Sequence, residues 1–264
     1  MAAVTFVNRG FKKKISRELA KDLRRKTAFE DKESYLWYST IVDAVKNCPQ
    51  MVRKTVVADR AADIYPVLTN LDELGVDYVV RSCHNRSLEQ GNKLYEQVST
   101  FSEQYRFSVL LPATDKRSAH TAVLKLRYGQ VTLKRNEAKT NQPVPLTHTC
   151  WAVKVEEDSC SVVGKEAPVE WLLLTSHPVQ SPEQAMQVIG FYKERWNIEQ
   201  VFRVLKTKGL CFEQCQVKEY RKLQKLMMVA LMAAVKVLQL VRARDGRSGQ
   251  SASCAFSQTE MVVV

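Results

Sequence analysis

The 264-residue chain has no uninterrupted apolar run approaching the roughly 18 residues that span a bilayer, which predicts that no segment crosses a membrane. A signal-peptide order is also missing: in the opening MAAVTFVNRGFKKK the apolar stretch comes before the charges. The seven cysteines (48, 83, 150, 160, 211, 215 and 254) are odd in number and scattered, so no disulfide framework is expected and the compartment reads as reducing. No Gly-rich loop fits a nucleotide-binding pattern, and the four histidines show no HExxH spacing. Cys211 and Cys215 have neither a CxxC partner pair nor a close histidine, which argues against zinc. No internal repeat is present.

Acidic residues are in deficit, 28 against 40 basic, for a net charge of +12. A chain this basic that is not secreted most often meets a polyanion, the alternative being a solvated basic surface. Nine basic residues fall between Arg9 and Lys26 against only Glu18 and Asp22, so residues 1–30 read as a basic arm. With 45% apolar and 26% charged residues the composition is globular, and the length fits one large domain or two small ones.

Trp37, Ile41, Ala44, Val45 and Cys48 recur at helical spacing before Pro49. Thr55-Val-Val-Ala58 then reads as a buried strand ending in Asp59. Ile64, Leu68, Leu71 and Leu74 form a helical stripe closed by Gly75, and Tyr78-Val-Val-Arg81 reads as a second strand. Strand, helix, strand over some thirty residues predicts parallel neighbours in a sheet. From about 105 to 175 the period changes to two. Ala122, Leu124, Leu126 and Tyr128 share one face, a turn is expected at Gly129, and Val131 and Leu133 follow. Trp151, Val153 and Val155, then Trp171-Leu-Leu-Leu174, complete an antiparallel β-rich segment. Helices follow over about 182–207, with a possible kink near Gly190, and over about 218–244, where a Leu/Met stripe predicts core packing. The tail 245–264 is read as disordered. The expected divisions are therefore 1–30, 31–100, 101–176, 177–244 and 245–264.

The stretch from Phe191 to Lys206 carries the chemistry. On one continuous helix Tyr192, Arg195, Glu199 and Lys206 fall within roughly 60° of one another, on a stripe about 21 Å long. Phe191, Ile198, Phe202 and Leu205 form an apolar stripe displaced by roughly 80°. A carboxylate flanked by cations suits phosphoryl transfer, with the Glu on a divalent metal and Arg, Lys and Tyr on phosphates. An amphipathic helix with ordinary ion pairs has the same spacing, and geometry alone does not separate the two.

The pattern Y-x2-R-x3-E-x6-K resembles the signature of the insertion-sequence-four (Tn-five-like) transposases, a branch of the DDE enzymes. Asp59-Arg-Ala-Ala-Asp63-Ile resembles that family's second-aspartate motif. Asp31-Lys-Glu-Ser34, Val79-Val-Arg-Ser82 with His84, and Trp171-Leu-Leu-Leu-Thr-Ser176 match in the family's order, over about residues 24–244. The resemblance implies an α/β, ribonuclease-H-like mixed sheet with a β-rich insertion before the last catalytic helix. It also implies cut-and-paste DNA transposition by metal-dependent phosphoryl transfer in a cytoplasmic, nucleoid-associated homodimer. Asp59 and Glu199 would be catalytic and would hold Mg2+ or Mn2+, while Tyr192, Arg195, Arg203, Lys206 and Arg81 would contact DNA. Trp171 would stack a flipped base, worth about 1–3 kcal/mol. His84, three residues after Arg81, is a further candidate for DNA contact; His120, His148 and His177 are expected to be structural or solvent-facing.

The family's first aspartate has no evident counterpart. Asp22, Asp31 and Asp43 lie on an arm, a link and a helix, and none ends a strand. The expectation is a chain shortened at both ends, with weak metal binding and no strand cleavage on its own. The alternative function is that of an inactive DNA-binding remnant or an inhibitor of transposition.

Overall fold

The structure is a computed structural model and describes residues 27, 29–32, 35–114, 117–136, 144–164, 166–206 and 209–244. Most of the basic arm, Lys139, Pro143 and the 245–264 tail lie outside the described residues. The chain forms two compact units, residues 1–193 and 194–264.

In the first unit, helix α1 (Tyr35–Lys46) leads to strand β1 (Thr55–Ala58), a short 3-10 turn at Arg60–Ala62, and helix α2 (Tyr65–Glu73). Strand β2 (Asp77–Arg81), helix α3 (Leu94–Thr100) and strands β3 (Tyr105–Leu111), β4 (His120–Lys134), β5 (Thr147–Glu157) and β6 (Glu170–Thr175) follow, then helix α4 (Pro182–Glu194). The strands make one mixed sheet in the order β1-β2-β6-β5-β4-β3. Among these strands only β1 and β2 pair in parallel, as their strand–helix–strand spacing requires; every other neighbour is antiparallel. Gly75, at φ +64°, turns the chain out of α2 in a conformation that costs a glycine little. The β-rich segment therefore extends the βαβ sheet through β6.

Both faces of the sheet are covered. On one, Val67, Leu68 and Leu71 of α2 and Leu94 and Val98 of α3 pack with Tyr78 and Val80 of β2. On the other, Ala185, Val188 and Ile189 of α4 pack with Val79, Leu126 and Leu173. This explains a difference from the expected turn at Gly129. Strand β4 runs through Gly129 without a break, paired with β5 on both sides of it from Leu124 to Lys134. Its even residues from Ala122 to Tyr128 face the α4 side, and its odd residues Val131 and Leu133 face the α2 side. The change in parity marks a switch of buried face, not a turn. Gly129 is needed for close approach, because an added Cβ would lie 2.7 Å from the Phe101 ring.

Two further expectations are corrected. In α1, Ile41 and Val45 meet the core as expected, but Tyr35 and Tyr38 join them in place of Trp37, which is exposed. In the second unit, α5 (Trp196–Lys206) packs through Val201, Val204 and Leu205 against Met227, Ala230, Leu231 and Ala234 of α6 (Tyr220–Arg244). Ile198 and Phe202, assigned to the apolar edge, are exposed. Tyr220–Val241 of α6 is also long and apolar enough to cross a membrane by length and composition, with 11% of its most apolar stretch buried. Arg221, Lys222, Lys225 and Lys236 punctuate that run without breaking its apolar average, so reading for uninterrupted runs missed it. Core helices of soluble proteins meet the same criterion.

Three histidines fix the sheet. His148 shares a 2.7 Å hydrogen bond with the buried Tyr78 hydroxyl, and His177 contacts Thr55 and Arg53. Burial pushes both imidazoles below their ordinary value, so the stability they contribute is present above about pH 6.5 and is lost as pH falls from there through their lowered values. His120 has the opposite sign. The Ser118 carbonyl and then the Glu157 carboxylate push it up, so its contribution is full below about pH 6.5 and is lost as pH rises through its raised value.

His148→Gln keeps an acceptor near Tyr78, and denaturant unfolding is expected to show a smaller stability loss between about pH 6.5 and 5 than in the parent chain. Gly129→Ala is expected to cost about 1–3 kcal/mol by the same measurement, and less in a Phe101→Ala background, where the clashing ring is gone.

Candidate functional site

Asp59 immediately follows β1, and Ala58 pairs with Val80 of β2, so the in-register continuation brings Asp59 level with Arg81. Antiparallel β6 begins at this end of the sheet, where Arg81 pairs with Leu173 and Trp171 pairs with Val155 of β5. Carboxyl ends of parallel strands in α/β sheets are where ligands gather. A groove of about 330 Å³ lies here, lined by Arg60, Arg81, Ser82, Tyr95, Lys154 and Glu170 among others. Arg81 donates to the Glu170 carbonyl at 2.9 Å, and Lys154 bridges Glu156 at 3.3 Å and Glu170 at 3.1 Å.

Asp59 is half-buried and caps the 3-10 turn, one carboxylate oxygen accepting from the Ala61 N–H at 2.9 Å. The other oxygen has no hydrogen-bond or ion-pair partner among the described residues. It is therefore chemically available to a cation.

Four residues on, Asp63 is buried and occupied. It accepts from the backbone N–H groups of Cys83 (2.8 Å) and His84 (3.1 Å) and from the Ser82 hydroxyl (3.3 Å), and it forms an ion pair with Arg86 at 2.5 Å. Asp63, Cys83 and His84 have the spatial closeness of a metal cluster, with ligand atoms within 4.8 Å of one another. The carboxylate is already filled by N–H and O–H donors, which makes it a structural anchor for the loop after β2.

Trp171 is partly exposed, and its ring meets Tyr192 edge-on at 5.2 Å. Tyr192 is itself 6% exposed and packed into the α4-side core, so it is not a member of an exposed polar row. His84 does not line the groove beside Arg81; it lines a second cavity together with Asp63.

The expected single helix over 182–207 is two helices. Its break is at Arg195, not near Gly190, and an i→i+3 bond from the Ile198 N–H to the Arg195 carbonyl closes the junction. Tyr192 thus belongs to α4 in the first unit, while Arg195, Glu199, Arg203 and Lys206 belong to the second. Within that second unit Arg195 pairs with Glu199 at 3.2 Å. Glu199 has a 46% exposed side chain and keeps its second carboxylate oxygen without a partner among the described residues. Lys206 pairs with Glu213 at 3.1 Å and lies 5.9 Å over the Phe202 ring. Arg203 stands in the last turn of α5. Of the earlier acidic candidates, Asp31 lies in a turn and Asp43 on α1, and Asp22 lies outside the described residues.

Residues 39–236 match the family described as the transposase DDE domain. The chain belongs to that family. Its α/β mixed sheet accords with a ribonuclease-H-like transposase domain, and transposases of this family act on DNA with divalent metal.

Reading the sequence did not single out Arg60, Tyr95 or Lys154. Lys154 had a signal: it stands out of phase with the apolar positions Trp151, Val153 and Val155 of its strand, where a charge must find a groove or solvent. Tyr95 had none, since its place depends on how α3 folds back on β2. Asp63 was legible only as part of a motif, not as an anchor.

Asp63→Ala leaves Arg86 without its buried partner and is expected to cost about 3–5 kcal/mol in denaturant unfolding. Adding Arg86→Ala should recover part of that loss, and strict additivity would contradict the anchoring role.

Proposed function

We propose that this transposase domain is of the insertion-sequence-four kind and engages transposon-end DNA through the groove at the Asp59 end of the sheet. The observation that carries this reading is the convergence of Asp59, Arg81 and the start of β6 on one sheet end, in a domain of the transposase family. Arg60, Arg81 and Lys154 give the groove its positive charge, which suits a phosphodiester backbone. Trp171 offers a partly exposed ring to an unstacked base, and Tyr192, buried edge-on against it, fixes its orientation.

Asp59 and Glu199 are each a candidate ligand for the divalent cation, Mg2+ or Mn2+, that the resemblance implies, and each retains one carboxylate oxygen without a partner among the described residues. When bound, that cation supplies Lewis-acid activation for phosphoryl transfer. Arg195 orients Glu199 from one side, and Arg203 and Lys206 extend the cationic face of the same helix toward DNA phosphates. A hard cation with few carboxylates depends on water and substrate phosphates for its remaining ligands. Metal binding by this chain is therefore weak without DNA.

A nicking assay on transposon-end DNA with magnesium or manganese tests the assignment. The chain on its own is expected to bind the duplex and leave it uncut, because Asp59 and Glu199 offer too few carboxylates for turnover. Robust cutting that disappears on Asp59→Ala would keep the family chemistry but overturn the claim of inactivity. A failure to bind duplex DNA would overturn the function.

A further inference from the structure

Beyond the Asp59 groove, the first unit contains a larger cavity of about 470 Å³ that no part of the proposed mechanism uses. Its charged lining is Lys32, Asp63, Arg86, Lys93 and Lys134, with the His84 imidazole beside them. Among the described residues Asp63 is the only carboxylate there, and Arg86 together with three N–H and O–H donors already satisfies it. Lys32, Lys93 and Lys134 are left facing the same space with no further described carboxylate lining it to answer them. Like charges gathered in a concave, low-dielectric surface raise the local potential and favour an anion.

Lys93 and Lys134 are held by backbone pairing around a single residue, Ser87. Ser87 bridges Lys93 in an antiparallel pair, and its carbonyl accepts from the Lys134 N–H at 2.8 Å. The Lys93 ammonium donates to the Ser87 hydroxyl at 2.8 Å. Arg86, the preceding residue, accepts at its carbonyl from the Leu94 N–H at 2.8 Å, and its guanidinium is locked on Asp63. Loop, helix start and strand end are thus tied into one cationic rim before any ligand arrives. That arrangement reduces the ordering cost of binding.

We propose that this cavity is a second binding site, for a backbone phosphate of DNA lying beyond the Asp59 groove. The inference rests on the reading that the chain binds DNA. The two cavities share no lining residue, yet both rims hang on Asp63: Ser82, which lines the groove, and His84, which lines the larger cavity, each donate to it. A duplex engaged at both would bridge the loop after β2. The ligand is a phosphodiester in place, not a free small anion.

The test is fluorescence anisotropy of a labelled mixed-sequence duplex over a series of salt concentrations, using the full chain. Lys93→Gln and Lys134→Gln remove rim charges that are exposed and make no buried pair. Each is expected to weaken binding at low salt, and together they should reduce the slope of log K against log salt by about 0.9 for each phosphate that is no longer neutralised. Lys134→Glu should weaken binding more than Lys134→Gln, which a loss of side-chain length alone would not do. An unchanged slope in these variants, with a reduced slope in an Arg60→Gln, Arg81→Gln variant, would overturn the second site and leave the DNA-binding function standing. No binding by the parent chain would overturn both. Pyrophosphate that raises the melting temperature of the parent chain but not of Lys134→Glu, with no change in the duplex slope, would make this a small-anion pocket and also overturn the proposal.

Discussion

The parallel pairing of β1 with β2 is the constraint on which the rest of the first unit depends. Four residue pairs, Thr55 with Asp77 through Ala58 with Val80, set the register. That register delivers Asp59 and Arg81 to the same end of the sheet. Because β6 pairs antiparallel with β2, the same register also delivers Trp171 and the Glu170 carbonyl to that end. A one-residue slip would turn every side chain of β1 to the opposite face. It would separate the acid from the cation and bury the wrong residues against α2 and α4.

Side-chain anchors at both ends of the pair hold this register. At the end away from Asp59, Asp77 takes the Arg53 guanidinium at 2.5 Å and the Ser176 hydroxyl at 3.0 Å, while Thr55 reaches His177. At the functional end, Asp63 gathers the loop after β2 by its backbone. The two aspartates of the Asp59–Asp63 motif thus divide the work. Asp63 spends both oxygens on structure and Asp59 spends one, keeping the other for chemistry. Two carboxylates four residues apart look alike in sequence, and only the count of donors around each tells them apart.

The βαβ unit, its parallel pairing, the Gly75 helix end and the antiparallel segment were all legible in the sequence, because each rests on local periodicity or on a residue with special backbone freedom. The continuity of β4 through Gly129 was not. A strand that changes its buried face mid-way gives the same parity shift as a turn, and only Phe101, 28 residues upstream, explains the glycine. The break at Arg195 was also hidden, since neither proline nor glycine marks it. Ile198 and Phe202 looked like the buried edge because they are the larger apolar side chains, whereas Val201, Val204 and Leu205 make the contacts with α6. For the candidate site, the motif residues could be named from resemblance, but the burial of Tyr192 and the presence of Arg60, Tyr95 and Lys154 in the groove depend on tertiary placement.

The central proposal is that Asp59, at the carboxyl end of β1, holds a divalent cation beside bound DNA. Iron-directed cleavage of the protein backbone tests this most directly. Fe2+ takes the place of Mg2+ on the DNA-bound chain, and ascorbate with peroxide then generates radicals at the metal. Scission beside residue 59, suppressed by excess Mg2+ and lost in Asp59→Ala, is the predicted result. No scission at residue 59, or scission there that survives Asp59→Ala, would contradict it.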